Sequence, residues 1–78
     1  MKNIYDLHDW ADIEQPQMIG EILMQAGLMN LVHLDMALGV QKLKNSPIGE
    51  ILVAMKVITH EELQVALDLQ EKINARFK

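Results

Sequence analysis

Three histidines, an acidic run near the N-terminus and one serine are the side chains of this 78-residue chain best suited to metal binding or catalysis. His8, His33 and His60 lie far apart, and no two stand at the four-residue helical spacing that brings a pair of imidazoles to one zinc ion. They read as surface residues, and no metal site is expected. Asp6, Asp9, Asp12 and Glu14 gather carboxylates, the donor type that holds calcium, but the loop glycine and closing glutamate of a calcium hand are missing. That run reads as a solvated face. Ser46 is followed by Pro47, a pairing that suits a helix start rather than a strained nucleophile elbow, and no phosphate-cradling glycine loop occurs. With no cysteine, thiolate chemistry and disulfides are both out of reach, which points to a reducing compartment. The expectation is a non-catalytic protein that carries no cofactor.

Charge narrows the partners. The net charge is −4 and Arg76 is the only arginine, so the electrostatic attraction that drives general DNA or RNA binding is absent. No apolar run approaches the roughly 18 residues of a membrane span, and the first residues lack the basic-then-apolar order of a signal peptide. Direct membrane insertion is not expected, and the bacterial cytoplasm is the expected location. Half of the residues are apolar, which suffices for a modest helical core and leaves little for a deep catalytic cleft.

An internal repeat is the strongest signal. Ile19-Gly20-Glu21-Ile22-Leu23 recurs as Ile48-Gly49-Glu50-Ile51-Leu52, an offset of 29 residues. The same offset carries Leu34 to Leu63, Ala37 to Ala66, Leu38 to Leu67 and Gln41 to Gln70, so residues 18–41 and 47–70 share nine identities in 24 positions. Ordinary composition gives about one or two. A period of this size marks one supersecondary unit used twice.

Each unit reads as a short helix, a tight break and a longer helix. Pro16 lies near the first helix start, Ile19, Ile22, Leu23 and Ala26 form an apolar stripe, and Gly27 suits a left-handed cap, so the first helix ends near Ala26. Asn30 caps a second helix whose inward stripe is Leu31, Leu34, Leu38 and Gln41, running to about Lys44. Ser46 reads as the next N-cap with Pro47 as the first helical residue. Thr59-His60-Glu61-Glu62 spells a capping box for a last helix that buries Leu63, Ala66, Leu67, Gln70 and Ile73 and exposes an Asp68–Lys72 pair. Neither hairpin buries its apolar faces alone. The expected fold is all-α: residues 16–78 form two helix-turn-helix repeats packed as a four-helix domain, about a pseudo-twofold axis or as neighbouring steps of a stack.

Residues 1–15 lie outside the repeat. Ile4, Leu7, Trp10 or Ala11, and Ile13 recur at helical spacing, which suggests a short amphipathic helix that packs on the core or reaches a partner. Four of the six methionines fall in or beside the first repeat, either as an adaptable exposed surface or as core filler.

Met18-Ile19-Gly20-Glu21-Ile22-Leu23 through Gln41, the spacer Lys42 to Ser46, and Pro47-Ile48-Gly49-Glu50-Ile51-Leu52 through Gln70 together span 53 residues. This pattern resembles the MshEN domain, the N-terminal domain of type II secretion and type IV pilus assembly ATPases, without the ATPase motor. The resemblance implies a regulatory module that binds cyclic di-GMP across both repeats and signals to secretion, pilus or other protein machinery. The ligand-facing set it implies is Met18, Ile19, Gly20, Leu23 and Gln41 with their equivalents Pro47, Ile48, Gly49, Leu52 and Gln70. Met18 and Pro47 stand where the family places arginine, and Lys56 stands where its second inner glycine belongs; the alternative reading is a protein–protein adaptor with the same fold and no nucleotide site. From the residues alone, Gly20 and Gly49 serve either close helix crossing or close approach to a ligand. Gln41 and Gln70 read a base edge or simply end a helical core.

Overall fold

The computed structural model describes residues 1–77; Lys78, the end of the span read as the repeat domain, lies outside them. A 3-10 turn at Leu7–Trp10 precedes four α-helices: α1 (Ile19–Gln25), α2 (Leu31–Lys44), α3 (Ile48–Ala54) and α4 (His60–Ala75). The chain is all-α, a small four-helix domain, with no strand among the described residues and no helix among them long and apolar enough to cross a membrane.

Local chemistry explains the boundaries. Both short helices close with the paired bonds of a Schellman motif. Gly27 N donates to Met24 O and Leu28 N to Leu23 O, each at 3.0 Å, and Lys56 N donates to Val53 O at 2.9 Å and Val57 N to Leu52 O at 3.0 Å. The motif needs left-handed backbone, and Gly27 and Lys56 supply it at φ 74° and 62°. Lysine adopts that region at a cost of about 1–2 kcal/mol, which glycine avoids.

Both long helices open on capping boxes. Asn30 Oδ1 accepts from His33 N at 3.1 Å while Asn30 N donates to His33 Nδ1 at 3.3 Å. Thr59 Oγ1 accepts from Glu62 N at 3.0 Å while Thr59 N donates to Glu62 Oε1 at 2.8 Å. His33 is therefore a half-buried member of a cap and not a plain surface residue. The start of α3 also differs from expectation: Pro47 is the cap, in extended backbone at φ −58° and ψ 140°, and Ser46 lies one residue outside. At α1 the cap Met18 N donates to Glu21 Oε1 at 3.0 Å. Pro47 has no N–H, so Glu50 cannot repeat that bond.

The short helix of each repeat packs on the long helix of the other: α1 against α4, and α3 against α2, with α1 and α3 touching each other and α3 resting on α4. Each short helix therefore has its fuller contact outside its own repeat. The inward faces of the long helices centre on Ala37 and Ala66, both fully buried, with Leu69 and Ile73 continuing the stripe on α4. Small residues there let the helices approach. Leu31, Leu38 and Leu67, expected to point inward, are 72%, 42% and 40% exposed, because at about 100° per residue they lie roughly a quarter-turn or more from those alanines. Asp68 and Lys72 do not form an ion pair.

The N-terminal segment adds a lid to this core without forming the expected amphipathic helix. Asn3 and Asp6 take backbone donors into their own side chains, with Tyr5 N to Asn3 Oδ1 at 2.9 Å and His8 N to Asp6 Oδ1 at 3.0 Å. The Asn3 bond turns the chain and the Asp6 bond caps the single 3-10 turn that follows. Ile4 and Trp10 join the same buried cluster as Ile22, Leu23, Leu52 and Ile73. Trp10 is wholly buried, its indole Nε1 donates to Asn3 O at 2.9 Å, and Arg76 Nη1 reaches its carbonyl at 3.3 Å. It is thus a core residue and not an exposed docking handle. Leu7 and Ala11 face solvent. The Lys2 hydrogen bond holds the Asp12 carboxyl below its ordinary range; this exposed contribution is present at neutral pH and is lost as pH falls through the folded-state value.

Two stability outcomes follow from these positions. Lys56→Gly should raise the urea midpoint, by about 1 kcal/mol in stability with an unchanged slope, because it removes left-handed strain and no contact that buries area. Trp10→Ala should remove about 3–5 kcal/mol, most of what a domain of this size possesses, and shift the circular-dichroism melt accordingly.

Candidate functional site

The two Gly-Glu-Ile-Leu starts meet where α1 and α3 touch, and packing requires the glycine in only one of them. A Cβ on Gly20 would lie 3.5 Å from Leu34 Cδ1, and one on Gly49 would lie 2.5 Å from Leu63 Cδ1. Leu34 and Leu63 are themselves repeat partners, so one contact is made twice, loosely in the first unit and tightly in the second. Gly49 is buried and Leu63 nearly so, which leaves the leucine little room to yield.

The glutamines have an internal task as well. Gln41 Nε2 donates to Ser46 O at 3.1 Å, and Gln70 Nε2 donates to Gln17 O at 3.1 Å. Ser46 and Gln17 are related by the same offset of 29 residues, and each lies just before the cap of a short helix. The end of each long helix thus clasps the chain entering the short helix that packs on it. Asn74 reinforces the second clasp: its Oδ1 accepts from Gln17 N at 2.8 Å and its Nδ2 donates to Gln17 O at 3.1 Å. Gln17 is 5% exposed, and its own amide accepts from Gln25 Nε2 at 2.8 Å and donates to Gln15 O at 3.1 Å. No buried side-chain polar atom lacks a partner among the described residues. Gln17 and Asn74 were not singled out from sequence, although the offset that defines the repeat also carries Asn45 to Asn74 just outside the matched windows. Asn45 instead caps α2 in left-handed backbone at φ 53°.

A shallow groove of about 320 Å³ opens beside the α1–α3 contact. Ile19, Pro47, Ile48, Leu63 and Leu67 form its apolar floor and wall, and Glu50, His60 and Gln64 line its polar side. Of the ten positions expected to face a ligand, Ile19, Pro47, Ile48 and Gly49 come together here. Leu23 and Leu52 are fully buried beneath, Gln41 and Gln70 are engaged in the clasps, Gly20 is covered by Leu34, and Met18 stands 72% exposed at the α1 cap. Leu67, read as core, is a groove residue. Leu31 and Leu38 share the α2 stripe with Leu34, which carries an exposed apolar surface from the Gly20 contact toward solvent.

The groove's electrostatics are sparse. No lysine or arginine lines it, and Glu50 places a carboxylate at its edge. The backbone donors at the α1 start are already engaged, Gln17 N by Asn74 Oδ1 and Met18 N by Glu21 Oε1. Among the described residues no cluster of three histidine or acidic side chains could hold a metal ion. No family model, no curated protein and no solved structure matches this chain.

The glycine pair should behave asymmetrically. Gly49→Ala is expected to destabilise by about 1–3 kcal/mol through overpacking against Leu63. Gly20→Ala, with ordinary van der Waals space around the new methyl, should be neutral or stabilising by up to about 1 kcal/mol. Paired urea titrations of the two variants check both signs.

Proposed function

We propose that this chain is a non-catalytic docking module, which takes an apolar side chain or short apolar segment of a protein partner into the groove between its two repeats. The observation that carries this reading is the groove's lining: isoleucine, proline and leucine surfaces with no lysine or arginine at their edge. Such a surface gains by excluding water from apolar groups. The tandem motif's likeness to the MshEN domain supports a regulatory role in secretion or pilus machinery, and of the two activities found in that family the docking one fits this lining better.

Cyclic di-GMP, the ligand that the motif spacing first suggests, carries two phosphate charges. A charged hydrogen bond contributes about 1.5–3 kcal/mol, and Met18 and Pro47 supply none where the family motif has arginine. The net charge of −4 adds repulsion over longer range. A helix end compensates little, since α1 and α3 are seven residues long and carry Glu21 and Glu50 in their first turns.

Calorimetric titration of the purified chain with cyclic di-GMP, with GTP and cyclic di-AMP as controls, should release no heat up to near-millimolar ligand. In parallel, a photo-crosslinking residue at Leu67 should capture a protein partner in cells, and Ile48→Glu in the same background should abolish capture while the helical spectrum persists. Selective micromolar binding of cyclic di-GMP that Ile48→Glu destroys would overturn the docking reading in favour of nucleotide sensing.

A further inference from the structure

α2 is apolar on two sides, and its own chain covers only one. Ala37 faces the core with Leu34 and Val40 beside it, whereas Val32, Met36 and Leu43 are 65%, 56% and 88% exposed. At about 100° per residue, positions 32, 36, 39 and 43 form one stripe on the solvent side. Their spacing of four, three and four is that of a helix–helix seam. Gly39 sits in the middle of it, and a Cβ there would meet nothing within 4 Å. The fold of this chain therefore has no steric use for that glycine, which weakens its helix by about 1 kcal/mol relative to alanine.

The stripe is complementary to itself. When a second α2 is laid antiparallel on the first, Val32 meets Leu43 of the second copy and Met36 meets its Gly39, and both layers recur by symmetry. A large side chain then lies over an open glycine at the two central layers, as close helix packing requires. Asp35 and Lys42, both exposed, border the same edge of the stripe. Antiparallel pairing sets Asp35 of each copy beside Lys42 of the other, two ion pairs from one pair of residues. Parallel pairing would stack glycine on glycine and methionine on methionine and leave Lys42 without an acid opposite. We infer that this face is covered by a second copy of the chain, α2 against α2 in antiparallel register about a twofold axis. The seam is about 16 Å long, which places it among small interfaces and in the micromolar range. It leaves the groove formed by α1, α3 and α4 open in both copies, so the pairing stands whatever the groove binds.

Sedimentation equilibrium of the full chain, from low micromolar to near-millimolar concentration, should show a reversible monomer–dimer equilibrium. Met36→Glu should be monomeric throughout while its circular dichroism stays helical, since Met36 is exposed and lies outside the buried cluster. Asp35→Lys and Lys42→Asp should each weaken the dimer about tenfold, by turning two attractions into repulsions, and the double exchange should restore it. Leu67→Glu, in the groove, should leave the dimer untouched, so loss of partner docking and loss of pairing are read separately. A chain that stays monomeric over the whole range would overturn the inference. A dimer indifferent to Met36→Glu and to the charge exchange would do the same.

Discussion

A seven-residue helix cannot hold itself in water, and this chain has two of them. Nucleation costs more than so few hydrogen bonds return, so α1 and α3 exist only by packing. The longer helix of their own repeat is not their main support. Each lies on the long helix of the other repeat, and each is held at its start by a glutamine from that same helix, Gln41 for α3 and Gln70 for α1. The two halves are therefore not two small domains side by side. They are one exchange, in which neither half is complete alone, and the motif Gly-Glu-Ile-Leu is repeated because its place in the exchange is repeated.

That constraint decides what is left for function. Leu23, Leu52, Ala37 and Ala66 go to the core, the glutamine amides go to the clasps, and Gly49 goes to its close contact with Leu63. What remains where the two repeats meet is the outer edge of the same elements: Ile19, Ile48 and Pro47, with Leu67 beside them. An exposed apolar edge with little charge is suited to another protein surface more than to a doubly anionic nucleotide. The outward stripe of α2 is a separate surplus, on a different side, and it matches itself.

Much of the fold was legible because the signals were local. The offset of 29 residues exposed the two units, Gly27 and the Thr59 capping box marked helix ends within a residue, and α2 runs to Lys44 as its pattern required. The misreadings share a cause. A helix with leucines on several sides does not say which of them faces inward, and Ala37 and Ala66 won that face because small residues allow close crossing. The N-terminal run had helical spacing, but it forms only one 3-10 turn, capped by Asp6, and Trp10 anchors the segment in the core. Of the groove's lining, Ile19, Pro47, Ile48 and Gly49 were among the positions the motif pointed to, whereas Leu67 was assigned to the core. The Gln17–Asn74 contact spans 57 residues, a distance no periodicity reports, although the matching asparagines at 45 and 74 held the hint.

Native-state hydrogen exchange under mild denaturant measures most directly whether the exchange of helices holds the molecule together. If it does, the slowest amides of all four helices should open in one cooperative event with a common free energy equal to that of global unfolding, because removing either short helix exposes the long helix of the other repeat. If the amides of α1 and α2 instead open together at a lower free energy while α3 and α4 stay protected, the repeats are autonomous hairpins and the account is wrong.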